Sequence, residues 1–174
     1  MTSPSAQQPN APEPGVYRID PEASTIRFET RAMFGMVPVR GTFTIARGQI
    51  TVGEDATRST VDVTVRADSF DSRNQKRDEH IRSADFLEAG AHPEIVFHSE
   101  SATRSAGGAT VEGTLTVHGV TRPTVLTVSS VSADGGRLTA NATAAVDRVD
   151  FGLTKAKGMA GRRLAITLDV VAVR

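Results

Sequence analysis

The chain has no cysteine, no tryptophan and a single tyrosine in 174 residues. Without cysteine there is no disulfide, no thiolate nucleophile and no cysteine-based metal site. Aromatic residues make up only 5% of the chain, too few for the face of interleaved bases and rings on which single-stranded nucleic acid stacks. Net charge is also lacking. Twenty Lys and Arg balance twenty Asp and Glu, so no overall field draws the chain to nucleic acid or to an anionic membrane. No run approaches the ~20 apolar residues of a membrane-spanning helix. The start lacks the basic and apolar stretches of a secretory signal, which makes a cytoplasmic protein the expectation.

What is present is a two-residue period carried by Val, Ile, Thr and Ala, the pattern of pleated, half-buried strands. Residues 1–14 hold four of the eight prolines and little to bury, and read as a disordered arm ahead of one domain over 15–174. Strands are predicted at Val16–Asp20, Ser24–Arg31, Val37–Ala46, Gln49–Val52 after a turn at Arg47-Gly48, Thr60–Ala67, Glu94–Ser101, Ala109–His118, Thr124–Val131, Leu138–Val146 and Arg163–Val173. Gly41 marks a bend or a close backbone approach. Only Ser72–Leu87 breaks the period. There Ser72 is a candidate cap for a short helix over Asn74–Arg82, followed by a turn at Ser83–Leu87.

So many strands with one short helical segment suit a sandwich or a barrel, not a parallel α/β sheet. A closed antiparallel barrel of about eight strands has no exposed edge and is either just filled or hollow enough for one ligand. One face of the Leu138–Val146 segment reads Leu138, Ala140, Ala142, Ala144, Val146. Small residues in a row favour an apolar internal cavity, unless bulky Ile, Leu and Phe from facing strands close it. Both readings stay open on periodicity.

The densest polar run is Arg73 to Ser83. Its bases suit an anionic headgroup such as a diphosphate, but its acids balance them, and a solvated helix face with pairs such as Asp78–Arg82 explains it as well. The histidines, His80, His92, His98 and His118, show no short metal-ligand spacing and read as ordinary surface or loop residues, with no metal or cofactor expected. Asp150-Phe151-Gly152 lacks every companion of the kinase magnesium motif. Gly158 to Arg163 reads as a Gly-containing hairpin before it reads as a phosphate cradle, and Asn141-Ala142-Thr143 falls mid-strand, a poor glycosylation acceptor. No serine sits in a G-x-S-x-G elbow.

Four segments in order carry a resemblance: Gly15-Val16-Tyr17-Arg18-Ile19-Asp20 leading to Ser24-Thr25-Ile26-Arg27-Phe28 and Val39-Arg40-Gly41-Thr42-Phe43; Arg77-Asp78-Glu79-His80-Ile81-Arg82-Ser83-Ala84-Asp85-Phe86 with His92-Pro93-Glu94-Ile95-Val96-Phe97; Gly113-Thr114-Leu115-Thr116-Val117-His118-Gly119-Val120-Thr121-Arg122-Pro123; and Asp147-Arg148-Val149-Asp150-Phe151-Gly152-Leu153. Together they resemble the YceI-like family of lipocalin-like bacterial proteins. The resemblance spans roughly 15–174. It implies an elongated antiparallel barrel whose apolar tunnel binds polyisoprenoid or similar amphiphilic lipids, dimers in several members, and no established enzymatic activity. Two departures stand out: Met33 where many members carry a histidine, and no export signal where many are exported.

The expectation is therefore a non-catalytic carrier of an isoprenoid-type lipid. Phe28, Phe43, Val63, Phe97, Leu115, Leu126, Ala140 and Ala142 are the candidate apolar lining, and Arg77, His80 and Arg82 the candidate polar mouth. Burial of a long chain supplies about 0.8 kcal/mol per CH₂ before ordering costs, so affinity needs little polar chemistry. The competing readings are a lipid-modifying enzyme using His80 or His118 with a carboxylate, and a ligand-free stress or interaction domain with a filled core.

Overall fold

A computed structural model describes residues 12–106 and 108–174. Ten strands form one sheet that closes on itself: β1 Gly15–Ile19, β2 Thr25–Ala32, β3 Val37–Phe43, β4 Ile45–Val52, β5 Thr60–Arg66, β6 Glu94–Ser105, β7 Gly108–Val117, β8 Val120–Asp134, β9 Arg137–Asp147 and β10 Arg163–Val173. All the pairings between them are antiparallel, in the order β1-β4-β5-β6-β7-β8-β9-β10-β2-β3, with a further β1–β10 pairing. The first part of the proposed arm, residues 1–11, lies outside the described residues.

The ten segments make an eight-stranded barrel, because β1 with β2 and β3 with β4 act as two long, interrupted strands. β10 holds both halves of the first of these. Its C-terminal end pairs with β1 (Arg18↔Val173, Ile19↔Ala172), and its earlier part with β2 (Asp169↔Thr25 to Ala165↔Glu29). The break between β1 and β2 is tied down by Asp20, whose carboxylate accepts from the Glu22 and Ala23 amides. The second break falls at Thr44, not at the predicted Arg47-Gly48 turn. That dipeptide lies inside β4, where the register slips between Ile45 and Arg47.

Two more bulges follow, between Ser99 and Ser101 on β6 and between Val128 and Ser130 on β8. Each adds one residue to one strand, so the inward-facing phase changes along the strand while the barrel wall coils. β8 is also 15 residues long, about 50 Å if fully extended, and begins earlier than its apolar alternation suggests. Gly41 and Gly113 are close approaches. A Cβ at Gly41 would lie 2.5 Å from the Phe28 ring and 2.2 Å from the Asp71 carbonyl oxygen, and one at Gly113 would lie 2.7 Å from the Phe97 ring. Both glycines leave room for an aromatic ring to lie flat on the wall.

Residues 67–93 bridge the barrel beside β3, with Thr42 and Asp71 exchanging backbone hydrogen bonds. This segment carries the helix, α1 Gln75–Arg82. Its cap is Asn74, whose Oδ1 accepts from the Arg77 amide at 3.1 Å, and not Ser72. Ser72 is instead gripped by Asp78, a buried carboxylate that accepts from the Ser72 amide at 3.0 and 3.1 Å and from its hydroxyl at 2.5 Å. The exposed Asp78–Arg82 helix pair expected from spacing is therefore replaced by an inward anchor.

Apolar side chains inside the barrel fall into two clusters. One gathers Tyr17, Ile19, Ile45, Val111, Leu138, Ala142 and Ala172 around the packed end. The other joins Phe28, Val39, Phe70, Leu87, Val117, Phe151 and Leu153, with Phe28 stacked on Phe70 at 4.9 Å.

Candidate functional site

A cavity of about 930 Å³, including its open mouth, runs between the two clusters. Every strand from β5 to β10 contributes to its wall: Val63 and Val65, Ile95 and Phe97, Leu115 and Val117, Thr124 and Leu126, Ala144 and Val146, Leu164, Ile166 and Leu168. Ile26 and Phe43 come from β2 and β3, Leu87 from the bridging segment, and Arg148, Phe151 and Leu153 from the turn after β9. About 160 Å³ of this space is open to the centre of a water-sized molecule, and the remainder is shared with the mouth. The wall is apolar except for Thr124 and Arg148.

Alternation is what builds this wall. Residues two apart on a strand face the same side, so 63 and 65, 95 and 97, 115 and 117, or 144 and 146 line the interior together. Of the residues nominated from sequence, Phe43, Val63, Phe97, Leu115 and Leu126 stand on the cavity wall. Phe28 does not. It is buried against Phe43 and Phe70, behind the wall, where Gly41 admits its ring. Ala140 and Ala142 also lie away from the cavity, packed in the filled end with Tyr17 and Leu138. Their smallness accommodates large neighbours there, and of the alanine row only Ala144 borders empty space.

Arg77, His80 and Arg82 are not on the cavity wall. Arg77 donates from Nε to the Ser72 hydroxyl at 2.7 Å and from Nη2 to the Ser72 carbonyl at 3.1 Å. Arg82 donates to the Phe70 carbonyl, with its Nε buried and unpartnered. His80 is exposed, pairs with Asp85 at 2.9 Å and sets its ring edge-on to Phe86. These three side chains brace α1 against the 70–72 and 85–86 segments. Their clustering in sequence reflects one short helix, not convergence on the cavity.

The charged group that does reach the wall is Arg148, which is 7% exposed. Its guanidinium donates to the carbonyls of Gly161 at 2.8 Å, Leu153 at 2.5 Å and Ala160 at 3.2 Å, and lies over the Phe86 ring. It pins the loop 152–162 over the end of β9. Burial lowers its pKa from the usual arginine value, partly offset by the Asp147 carboxylate, while Arg162 adds to the lowering. Three of its five N–H groups are used by these carbonyls, and it is the carbon stem of the side chain that faces the cavity. Sequence reasoning passed over Arg148 because one arginine in a strand-end motif carries no periodic signal.

His98 belongs to a different surface. It sits on β6 directly across from Asp62 of β5, and hydrogen bonding to Asp62 first, then to Glu100, raises its pKa. His118 pairs with Glu88 at 3.0 Å. His80 and His118 are each paired with a carboxylate, and neither is among the residues of the cavity wall.

The comparisons agree with this architecture. The family model for the YceI-like domain matches residues 17–172. A UPF0312 protein of Yersinia enterocolitica is 31% identical over 166 residues, covering 91% of this chain and 86% of its own length. Protein YceI of Salmonella arizonae is 28% identical over 166 residues with the same coverage. Among solved structures, Burkholderia cenocepacia BcnA superposes with a TM-score of 0.80 at 20% identity, covering 89% of this chain and 99% of its own. A polyisoprenoid binding domain from Saccharophagus degradans gives 0.68 at 15% identity, covering 90% and 97%. At these identities the two structures speak for the fold.

Proposed function

The chain belongs to the YceI-like family, and from that premise we propose that it is a non-catalytic carrier that holds an isoprenoid-type lipid inside its barrel. The observation that carries this reading is the apolar cavity, walled by residues from nearly every strand and bordered by one buried cation. An apolar space of this size loses dispersion contacts while empty, and a hydrocarbon chain restores them. The Saccharophagus degradans neighbour, described as a polyisoprenoid binding domain, supports the same ligand class.

Arg148 is the group this reading assigns to the headgroup. Among the described residues its hydrogen bonds run to carbonyls and none to a carboxylate, so by turning its guanidinium from the loop to the cavity it would give a diphosphate or other anionic oxygen a charge-assisted bond. A quinone or alcohol headgroup would accept from the same N–H groups with less Coulombic gain. Specificity then comes from one arginine, and affinity from the apolar wall.

The test is native mass spectrometry of the gently purified full chain, followed by organic extraction of whatever it carries. A co-purifying prenyl lipid, or micromolar binding of an added prenyl chain that displaces an apolar fluorophore, is the expected result. A chain that stays empty and takes up no prenyl lipid overturns the reading.

A further inference from the structure

Glu88, His92 and His118 meet at one place although 30 residues separate the first from the last. Among the described residues they are the group of three His, Asp or Glu whose ligand atoms lie together, all within 4.8 Å of one another. His118 Nε2 is hydrogen-bonded to Glu88 Oε2 at 3.0 Å, and the His92 and His118 ring centres are 4.5 Å apart. We infer that these three side chains form a binding site for a divalent transition-metal ion of the zinc class.

The backbone around them is built to bring the donors together. Val117 pairs with Val120, so His118-Gly119 is a two-residue hairpin turn, and both residues have positive φ, 54° and 74°. That is the geometry of a type I′ turn, in which Asn is the usual first residue. Histidine accepts this conformation better than most side chains, and here it aims an imidazole at Glu88. Glu88 also has positive φ, 47°, a conformation that a glutamate seldom adopts. Its carbonyl accepts from the His92 amide at 2.8 Å, which folds His92 back towards it. The His92 ring lies over Gly119, where a Cβ would come within 3.2 Å of it. Two of the three donors thus stand on unfavourable backbone, and the glycine beside the third leaves room for its ring.

The distances suit one ion. Donors about 2.0–2.1 Å from a tetrahedral zinc are about 3.3–3.5 Å apart, close to the separation Glu88 and His118 already have. His92 closes the remaining gap by side-chain rotation. The ion takes the place of the hydrogen between His118 Nε2 and Glu88, and the neutral imidazole then carries its single ring proton on Nδ1. Two imidazoles and one carboxylate favour zinc, cobalt or nickel over calcium and magnesium, which want an all-oxygen shell. Three protein donors leave a position open for water or a ligand oxygen. Leu87 and Val117, the chain neighbours of Glu88 and His118, are both on the cavity wall, so the site lies at its rim.

The test is calorimetric titration of the untagged, lipid-free full chain with zinc chloride, and with magnesium chloride as control. It is independent of lipid binding. One zinc per chain at micromolar affinity or better is expected, with no comparable magnesium binding. His118→Asn keeps the turn, since Asn-Gly is the preferred type I′ pair, and His92→Ala and Glu88→Gln remove the other donors. Each should weaken zinc binding on the order of a hundredfold with an unchanged circular dichroism spectrum. Absence of saturable zinc binding, equal binding of magnesium, or full affinity in a folded His118→Asn variant overturns the inference.

A different face carries a second inference. All three methionines beyond Met1 gather at the β2–β3 turn: Met33, Met36, and Met159 from the loop before β10. Phe34 is 79% exposed and Met36 81%, with Met33 and Met159 about half exposed. The two loops are joined, since the Met33 amide donates to the Met159 carbonyl and the Phe34 amide to that of Gly158. Arg31, Lys155 and Lys157 flank this apolar tip, and neither lysine has an ion-pair partner among the described residues.

An exposed apolar tip with basic neighbours fits an anionic lipid bilayer, into which Phe34 and Met36 insert while the lysines meet the headgroups. This surface deepens the carrier reading but is tested without prenyl lipid, by sedimenting the full chain with phosphatidylcholine vesicles with and without phosphatidylglycerol. Sedimentation with the anionic vesicles is expected, and at least a several-fold loss for Phe34→Ser combined with Met36→Ser, or for Lys155→Glu combined with Lys157→Glu. Failure to sediment, or equal sedimentation of the variants, overturns it. So does ultracentrifugation showing that Phe34→Ser splits a dimer, because the tip then meets a second copy of the chain.

Discussion

A leucine placed at residue 144 should stabilise the barrel, whereas a leucine two residues earlier should destabilise it. Ala142 and Ala144 lie on the same face of β9, opposite Leu168 and Ile166 of β10, so strand propensity and backbone terms cancel between them. Ala142 is 7% exposed and packed in the filled end, while Ala144 borders the cavity. Ala→Leu adds three carbons. Placed in empty apolar space, they contribute about 2.4 kcal/mol at 0.8 kcal/mol per CH₂, less about 0.5–1 kcal/mol of lost side-chain freedom. The net gain is about 1.5 kcal/mol, which for a chain of this size raises the melting temperature by about 3–6 °C. The same carbons at residue 142 meet a buried site flanked by its cross-strand partners Val128 and Leu168 and cost about 1–3 kcal/mol through overpacking. Calorimetric melting of both variants measures the two signs, and prenyl-lipid titration of Ala144→Leu should show weakened binding because the leucine takes ligand space. If Ala144→Leu melts as far below the wild type as Ala142→Leu, the interior is filled and the carrier reading loses its basis.

Arg148→Met should remove any preference for a prenyl diphosphate over the corresponding alcohol, and equal preference in wild type and variant would take the headgroup away from Arg148. Asp78→Ala leaves the buried Ser72 amide and hydroxyl without their acceptor and should cost about 2–6 kcal/mol in urea unfolding, at about 1–3 kcal/mol for each stranded group; a cost under ~1 kcal/mol would show that water replaces the carboxylate. His98 has a pKa raised above 6.5 by Asp62, so its contribution is complete below pH 6.5 and fades as pH rises through the higher folded value. The stability gap between wild type and His98→Gln should therefore narrow on the alkaline side of pH 6.5, and parallel pH curves would show that the Asp62 contact does not favour the charged imidazole.

Much of the barrel is legible in the chain because alternation is local. Val61, Val63 and Val65, or Leu115 and Val117, declare one face without reference to any partner strand. The bulges at Ile45–Arg47, Ser99–Ser101 and Val128–Ser130 are less legible, since an extra residue reads as the end of one strand. This is why Glu94–Ser101 and Thr124–Val131 are predicted shorter than β6 and β8. The Ser72 cap gave way to Asn74 because Asp78, three positions into the helix, turns inward to hold Ser72. The histidines look ordinary by spacing, and so His118 and His92 give no sign of each other until a type I′ turn and the fold-back at Glu88 bring them together.

By itself, the sequence determined an all-antiparallel barrel with one short helix, and the family to which it belongs. Both rest on patterns a few residues long that survive whatever the rest of the chain does. Only the tertiary structure decided which part of that barrel is hollow, that Arg148 and not Arg77, His80 or Arg82 reaches the cavity, and that two histidines and a glutamate share one corner. Those facts depend on register, bulges and the sharing of β10 between β1 and β2, which are relations between residues far apart in the chain.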